Sequence, residues 1–264
     1  MKRALTALVL VPVAVYSVLF APSQLFLLLV AVFAILCFSE YARIADAQAM
    51  PGYVAGVLIL IAPLSQAALI LFLAALAAMC LTMAAQDFAK GAARAGALVL
   101  GIAYIFGSWK TATLLHEIEA PGYRGVAAGH YWLMFALMIN WIGDTGAYYV
   151  GRKFGKRKLA PRVSPGKSWE GAAASAVTGI LFGVFFVPFF IPGTSPLAAA
   201  AISLVANAAG QVGDLAESAL KRGAGVKDSG TILPGHGGML DRLDSSLFSI
   251  PVVYTLVMLL NVSR

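Results

Sequence analysis

The chain has 264 residues, a length that a soluble protein would use for one large domain or two ordinary ones, but its composition excludes a soluble fold. Apolar residues of the set AVILMFWYC make up 60%, and the 26 glycines raise the apolar share to roughly 70%, against about 45–50% in soluble domains. Charged residues are 12% of the chain, about half of the usual fraction. A soluble globule, a disordered chain and a disulfide scaffold are therefore excluded, and a polytopic membrane protein is predicted.

The charge of the chain agrees with this class. Nineteen Lys and Arg against twelve Asp and Glu give +7, but the basic residues are gathered in loops between apolar stretches, as in membrane proteins, rather than in a nucleic-acid surface. Cys37 and Cys80 lie in apolar runs, so neither a disulfide nor a cysteine-ligated metal is expected. No cleavage site with a polar mature domain follows the first apolar run, which is therefore interpreted as a retained first span.

In chain order, the apolar segments predict nine transmembrane helices. Three charge-free windows of about forty residues each have room for two crossings of about 20 residues. These windows are Ala4–Ser39, Ala47–Gln86 and Gly171–Gly213. Prolines near the middle of each window would separate its two helices, namely Pro22, Pro63, and the group Pro188, Pro192 and Pro196. Single crossings are predicted at about Ala92–Leu115, His130–Val150 and Ser245–Val262.

The distribution of basic residues predicts the orientation of these helices. With a cytoplasmic N-terminus, the loops 151–168 and 221–244 lie inside, and only Arg124 and Arg264 are basic residues outside. Loop 151–168 contains seven basic residues and no acid: Arg152, Lys153, Lys156, Arg157, Lys158, Arg162 and Lys167. We therefore expect an all-α membrane protein, with about five N-terminal spans in 1–115 and a catalytic region in 116–264 that carries both loops.

Two predicted spans contain polar residues that hydrocarbon would disfavour. Asp144 lies in the sixth span, one turn after Asn140. In the eighth span, at 100° per residue, five polar residues share one helical face: Asn207, Gln211, Asp214, Glu217 and Lys221. For Asn207 and Gln211, hydrogen bonding between helices and a functional role are equally good explanations. For Asp214, with another acid one turn on, a functional role is favoured.

The segment after the eighth span combines glycines, bases and acids. Glycines let backbone N–H groups approach an anion, and Lys and Arg supply charge to phosphate oxygens. Carboxylates in the same stretch would repel a phosphate unless a cation lies between them, so metal-bound phosphate is indicated. The carboxylates of Asp214 and Asp241 favour Mg²⁺ or Mn²⁺. Surface ion pairing of Asp241, Arg242 and Asp244 is the alternative, and His236 could be an anchor, a phosphate contact, a metal ligand or a proton-transfer group.

A second cytoplasmic segment, Ser164-Pro-Gly-Lys-Ser168, resembles a Walker phosphate loop only in part. The Walker motif needs glycine at position 161, where the chain has Pro161, and it needs a preceding strand, so this interpretation is excluded. What remains is a turn containing Ser164, Lys167 and Ser168 that leads into a helix N-terminus, where N–H groups and the helix dipole favour phosphate. Anionic lipid headgroups account for most of the basic run 152–162.

The string from Ser218 to Asp244 resembles the signature of the phosphatidate cytidylyltransferases, also called CDP-diacylglycerol synthases. Its matching positions are Ser218, Lys221-Arg222, Lys227-Asp228, His236-Gly237-Gly238, Asp241-Arg242 and Asp244. The strings Asp144-x-x-Ala147-Tyr148 and Ser164–Gly171 also resemble elements of this family. The resemblance covers about the last half of the chain, whereas the first half is similar only in hydrophobic character.

The resemblance implies that CTP and phosphatidic acid react to give CDP-diacylglycerol and pyrophosphate, by in-line attack of the lipid phosphate on the α-phosphorus. It implies Mg²⁺ on Asp214 and Asp241, with K⁺ as a further candidate ion, a homodimer, and a multi-pass protein of the cytoplasmic (inner) membrane whose active site faces the cytoplasm. The implied catalytic residues are Asp144, Asp214, Lys221, Lys227, Asp241 and Asp244. The implied substrate-binding residues are Ser164, Lys167, Ser168, Lys221, Arg222, Lys227, Asp228, His236, Gly237, Gly238 and Arg242.

Three other functions fit part of the same sequence pattern. A CTP-dependent lipid kinase, or a cytidylyltransferase for another lipid phosphate, would need similar phosphate-binding groups. An ion-coupled transporter with Asp144, Asp214 and Glu217 along its path is disfavoured, because the charges concentrate in the predicted cytoplasmic loops and no internal repeat is evident.

Overall fold

A computed structural model describes residues 12–233, 235 and 237–260, and this part of the chain is almost entirely helical. Residues 12–20 are helical and are labelled α1. The helices that follow are α2 (Ser23–Ile44), α3 (Ala49–Ile61), α4 (Leu64–Leu81), α5 (Phe88–Gly101), α6 (Ser108–His116), α7 (Ala128–Phe154), α8 (Trp169–Phe190), α9 (Pro196–Gly223), α10 (Leu240–Leu243) and α11 (Ser246–Leu259). A π-helical segment, Ile102–Gly107, joins α5 to α6, so that Phe88–His116 is one long helical stretch.

The predicted breaks between helices lie at prolines, with one exception. Pro22 separates α1 from α2, and Pro63 occupies the N-cap position of α4. Pro192 lies in the turn after α8, and Pro196 begins α9, a position where its missing N–H has no helical acceptor. Pro188 is the exception: it lies inside α8, two residues before Phe190. Its missing N–H leaves the helix without one backbone hydrogen bond at this point.

The helical membrane class is confirmed by this structure. In the described part of the chain, six helical stretches are long and apolar enough to cross a bilayer: Ser23–Ile44, Leu64–Ala84, Phe88–His116, Trp169–Phe190, Pro196–Gly223 and Leu240–Leu259. A helix also lies at each of the other predicted positions, but α3 is shorter and α7 carries Asn140 and Asp144 within its length. The number of nine crossings and the orientation therefore stay predictions.

The predicted loop 151–168 differs from the expectation. Its second half forms a small antiparallel hairpin of β1 (Lys158–Ala160) and β2 (Ser164–Ser168). Ser164 to Ser168 is therefore a strand and not the predicted turn. Lys158 pairs with Ser168 at one end of the hairpin and Ala160 with Ser164 at the other. This pairing holds the strand in a fixed register immediately before α8.

The described residues form two compact units. The first unit comprises residues 24–113 and 220–243, and the second comprises 12–23, 114–219 and 244–260. In the first unit α3, α4 and α5 pack together, and Phe38, Tyr41 and Phe106 are fully buried. In the second unit α7 packs along α8 and against α11, around Trp132 and Phe135. Unlike the linear division at residue 115, this grouping places 220–243 with the N-terminal helices.

Candidate active site

The predicted polar face of α9 exists, and each of its five side chains is buried or half-buried. Asn207, Glu217 and Lys221 are buried, whereas Gln211 and Asp214 are half-buried. Asn207 exchanges hydrogen bonds with Ser175 of α8, and Gln211 donates to the Asn207 side chain at 2.7 Å. Gln211 also donates to the Ala172 carbonyl of α8 at 3.3 Å. For these two amides the structure therefore supports hydrogen bonding between helices.

In the second unit, the polar face of α9 meets the basic loop through an ion pair. The Lys167 Nζ donates to Asp214 Oδ2, and both side chains remain more than a quarter exposed. The other carboxylate oxygen of Asp214 accepts from the Ser218 hydroxyl at 3.4 Å. Asp144, on an exposed part of α7, lies within electrostatic range of both Asp214 and Lys167. Three predicted site residues thus form one cluster of two acids and one base.

The hairpin explains how Lys167 reaches this cluster. Lys167 belongs to β2, and the next residue, Ser168, is the N-cap of α8, where its hydroxyl accepts the Gly171 N–H at 3.2 Å. Glu170 in the first turn of α8 accepts the backbone N–H groups of residues 156 and 157. Strand pairing and helix capping therefore fix the backbone on both sides of Lys167.

In the first unit, a second lysine–aspartate pair joins α9 to α10. The Lys221 Nζ donates to Asp241 Oδ1 at 2.5 Å, and the two side chains are only 10% and 4% exposed. Asp241 also accepts the backbone N–H of Ser229 at 2.9 Å and that of Gly238 at 2.8 Å. The alternative of surface ion pairing is therefore wrong for Asp241, whose carboxylate is buried and bonded on both oxygens.

The signature loop, residues 224–239, supplies the remaining predicted contacts. Gly225 and Gly237 adopt positive φ values of 74° and 83°, which side chains rarely tolerate. A Cβ on Gly237 would also lie 2.7 Å from Asp241 Oδ2. The side chains of Lys227 and Asp228 are exposed in this loop. The loop therefore exposes Lys227 and Asp228 on a backbone that turns at positive-φ glycines.

The other predicted residues of the segment 221–244 are Arg222, His236, Arg242 and Asp244. The Arg222 guanidinium donates to the Val226 carbonyl at 3.0 Å, and Arg242 is exposed on α10. His236 lies outside the described residues, so its role stays a prediction. In the second unit, the Asp244 carboxylate accepts the Ser245 N–H at 2.6 Å, and a Cβ on Gly213 would lie 2.8 Å from the Asp244 carbonyl oxygen. Asp244 is thus held close to the part of α9 that carries Asp214.

Sequence analysis missed one acidic residue of the first unit. Glu40, near the end of α2, is fully buried and accepts hydrogen bonds from Ser229, Met239 and Leu240. Its partners are about 190–200 residues away in the chain, so no local pattern could reveal them. The only sequence signal was its position, because Glu40 is the acid that ends the first charge-free window.

The backbone N–H groups of the signature loop bond acids of the protein, whereas the sequence predicted that they would bond a phosphate. The prediction was that glycine-rich backbone would approach a bound phosphate. In the structure, the N–H groups of residues 229, 238, 239 and 240 are bonded to the carboxylates of Glu40 and Asp241. These acids organise the loop, whereas Lys227 and Arg242 are left facing outward.

The carboxylates suit a hard divalent cation only with ligands from elsewhere. Among the described residues, no group of three or more His, Cys, Asp or Glu side chains is placed to hold a metal ion. Mg²⁺ commonly binds through one or two carboxylates and takes its other ligands from water and substrate phosphates. Each of the two predicted ligands, Asp214 and Asp241, already attracts an ammonium group. Both sites therefore fit a positively charged partner.

Comparison with known proteins identifies the family. Residues 1–260 match the family model described as Cytidylyltransferase family. The chain belongs to this family. A protein named phosphatidate cytidylyltransferase from Pseudomonas aeruginosa is 37% identical over 266 aligned residues, which cover 97% of this chain and 96% of the relative.

Two further members of the cytidylyltransferase family match over a shorter stretch. Relatives named phosphatidate cytidylyltransferase from Bacillus subtilis and Haemophilus influenzae are 44% and 46% identical, over 50% and 47% of this chain. These matches span about half the length of those relatives, 49% and 44%. The Pseudomonas match shows that the similarity to the family extends through the N-terminal helices, where no motif was found.

Proposed function

We propose that this member of the cytidylyltransferase family transfers CMP from CTP to phosphatidic acid, giving CDP-diacylglycerol and pyrophosphate. The observation that carries the proposal is the match over 97% of the chain to a protein named phosphatidate cytidylyltransferase. The ion pairs of Lys167 with Asp214 and of Lys221 with Asp241 support it, because they involve four of the predicted site residues.

The proposed reaction requires the protein to position its substrates and does not require a strong base. A phosphate monoester has its second pKa near 6 and is largely dianionic at pH 7. The lipid phosphate can therefore attack the α-phosphorus of CTP without a strong base. The remaining task is to hold two polyanions in line and to neutralise their charge, which lysine and arginine side chains do well.

We assign this neutralisation to the lysine and arginine side chains that the sequence predicts for the site. In the resting protein Lys167 and Lys221 are neutralised by Asp214 and Asp241. When phosphate oxygens arrive, the ammonium groups can donate to them, and the exposed Lys227, Arg222 and Arg242 add charge at the surface. Asp144, Asp228, Asp244 and the serines Ser164 and Ser168 are proposed to position these groups and the substrates.

We also propose that Asp214 and Asp241 are ligands for Mg²⁺. A bound divalent ion would supply charge neutralisation on the transferring phosphoryl group. Asp214 is the more accessible of the two carboxylates, since its side chain is 27% exposed. Asp241 would become available only after Lys221 turns toward a phosphate, because that ammonium occupies its Oδ1.

The proposed setting is a multi-pass homodimer in the cytoplasmic membrane, with the N-terminus and the active site facing the cytoplasm. The six long apolar stretches support the membrane location, and the basic loops support the orientation. Labelling of single cysteines introduced at positions 153 and 124, in the Cys37→Ser/Cys80→Ser background, tests the orientation in intact cells. Only position 124 should react with a membrane-impermeant reagent, and the reverse result would contradict the assignment.

The assay that tests the activity uses purified protein in detergent with CTP, phosphatidic acid and Mg²⁺. Formation of CDP-diacylglycerol and pyrophosphate in equal amounts is expected, and omission of either substrate should abolish both products. The variants Asp214→Asn and Asp241→Asn should lose most turnover at ordinary Mg²⁺ concentrations. Near-normal turnover of either variant would contradict the metal assignment. A lipid kinase would instead release CDP.

No covalent intermediate on the enzyme is proposed, because the lipid phosphate itself serves as the nucleophile. Incubation with α-labelled CTP in the absence of lipid should therefore leave the protein unlabelled after denaturation. A stable nucleotidyl-protein that forms without lipid and discharges onto added phosphatidic acid would overturn direct transfer.

A further inference from the structure

Glu40 is a carboxylate that the predicted chemistry does not use. Glu40 lies near the end of α2 and has no exposed surface. An acid side chain is rarely buried so completely unless its oxygens are bonded to other groups. Its partners in the first unit therefore indicate what it does.

All of the described hydrogen bonds of Glu40 lead to the signature loop and the start of α10. Oε2 accepts the Ser229 hydroxyl at 2.9 Å and the Leu240 N–H at 2.8 Å. Oε1 accepts the Met239 N–H at 3.0 Å. Bonds to an ionised acceptor are stronger than those between neutral groups, so one side chain ties Ser229 and the start of α10 to α2.

Two glycines make this approach possible. A Cβ on Gly230 would lie 2.4 Å from Glu40 Oε1, and a Cβ on Gly238 would lie 2.4 Å from Oε2. At either distance, an added Cβ would force the Glu40 carboxylate or the loop backbone to shift. The glycines of the signature loop thus serve the contact with Glu40 as well as the turn geometry.

The same contacts connect Glu40 to the Lys221–Asp241 pair. Ser229 donates its hydroxyl to Glu40, and its backbone N–H donates to Asp241. The Asp241 N–H in turn donates to the Ser229 hydroxyl oxygen at 3.3 Å. The position of Asp241, and with it the ammonium of Lys221, therefore depends on where Glu40 holds Ser229.

Other roles for Glu40 fit its surroundings less well. As a metal ligand it would have to give up bonds to three donors, and as an acid or base it would need access that its complete burial denies. A general acid or base must lie within hydrogen-bond distance of the reacting atoms. A side chain that positions a loop needs only to contact that loop, as Glu40 does.

We infer that Glu40 is a positioning residue, which holds the signature loop and Asp241 in the arrangement that receives the phosphates of the nucleotide. The inference deepens the proposed CMP transfer and rests on it. In this arrangement a charged carboxylate of the N-terminal helices fixes a loop formed near the other end of the chain.

The test compares Glu40→Gln with the wild-type protein in detergent. Glutamine keeps the volume, but its amide nitrogen cannot accept a hydrogen bond and its charge is lost. We expect kcat per folded protein to fall at least about tenfold, as the loss of one charge-assisted hydrogen bond predicts. Hydrogen–deuterium exchange of residues 229–241 should become faster, and the KM for phosphatidic acid should change less than the KM for CTP.

A matched control removes the same charge at the surface a few residues later. Asp46 is exposed and paired with Arg94, so Asp46→Asn should leave kcat and the exchange of residues 229–241 unchanged. Wild-type kcat and exchange in Glu40→Gln would overturn the inference. So would an activity loss that only follows the folded fraction, because that result would make Glu40 a stability residue.

Two further measurements keep the outcomes separate. If Glu40→Gln does not fold, Ser229→Ala removes the hydroxyl shared by Glu40 and Asp241 and should show the same changes more weakly. Unchanged exchange and kcat in Ser229→Ala would then count against the inference. Exchange does not depend on turnover, so a wild-type protein that makes no CDP-diacylglycerol contradicts the proposed function and leaves the loop test intact.

Discussion

The two lysine–aspartate pairs of the candidate site share their chemistry but differ in burial. In the second unit, Lys167 and Asp214 are 29% and 27% exposed, and Asp214 has a single hydroxyl as its further described hydrogen-bond donor. In the first unit, Lys221 and Asp241 are 10% and 4% exposed, and two backbone N–H groups also bond Asp241. An exposed ion pair adds little stability, whereas breaking a buried one leaves an uncompensated charge.

This difference in burial indicates that the two pairs have different roles. The buried pair is part of the loop architecture, so its loss should damage both folding and turnover. The exposed pair can open at low cost, so its lysine and aspartate are available to substrate and cation. Four sets of variants test these roles, and the set with the largest expected effect comes first.

The largest effect is expected for Asp241→Asn, which leaves Lys221 buried without a negative partner. Removing one partner of a buried pair costs about 3–5 kcal/mol, so the unfolding temperature in detergent should fall markedly and turnover should be lost. In the double variant Asp241→Asn/Lys221→Gln, stability should largely return but turnover should not. A stable and active single variant would show that the pair contributes to neither property.

Loss of the more exposed pair should affect activity more than folding. Lys167→Gln is expected to lower the free energy of unfolding by about 1 kcal/mol, well below the loss in Asp241→Asn, because the Lys167–Asp214 pair is the more exposed of the two. Its turnover should fall on the order of 10²-fold, the cost of removing one group that stabilises transition-state charge. Lys90→Gln is the matched control, because Lys90 is a surface lysine beside Asp87. Equal turnover in both variants would contradict a role for Lys167.

The carboxylate of the exposed pair should control the Mg²⁺ requirement. Asp214→Asn is expected to raise the half-saturating Mg²⁺ concentration by at least about 10–100-fold, because loss of a group that only supports a metal ligand already costs that much metal affinity. A Mg²⁺ titration of CDP-diacylglycerol synthesis measures this shift. Lys167→Gln should lower turnover without raising the Mg²⁺ requirement. The same requirement in Asp214→Asn and the wild type would exclude Asp214 as a ligand.

The smallest effect is expected at the N-cap of α8, next to the exposed pair. Ser168→Ala removes the cap and should cost about 1 kcal/mol of stability, whereas Ser168→Asp keeps a capping oxygen. If Ser168 also contacts phosphate, the added negative charge of the Asp variant should raise the KM for CTP. An unchanged KM in a stable Ser168→Asp protein would limit Ser168 to its capping role.

The parts of this account that could be predicted from sequence depend on local patterns. Helix positions followed from charge-free windows and prolines, and the polar face of α9 followed from a spacing of three or four residues within one helix. The hairpin was not predicted, because the prediction for loop 151–168 rested on its basic residues alone. Its two strands, Lys158–Ala160 and Ser164–Ser168, lie close together in the sequence and pair in the structure. Glu40 was missed because its contacts join residues about 190–200 positions apart.

The partners of the glycine-rich backbone are a second feature that the sequence could not reveal. The sequence predicted that backbone N–H groups in this loop would bond a phosphate, because composition could not show that acids of the protein itself accept these bonds. Two of the protein's own carboxylates, Glu40 and Asp241, accept those bonds. Only their distances in the folded chain distinguish this arrangement from an exposed phosphate cradle.

The most direct test of the central claim follows the phosphorus atoms of CTP. Purified protein with phosphatidic acid and Mg²⁺ is given CTP labelled at either the α- or the γ-phosphorus, and lipid is extracted from each reaction. Transfer of CMP predicts α-label in the lipid and γ-label only in water-soluble pyrophosphate. The appearance of γ-label in the lipid, with CDP as the other product, would contradict the account.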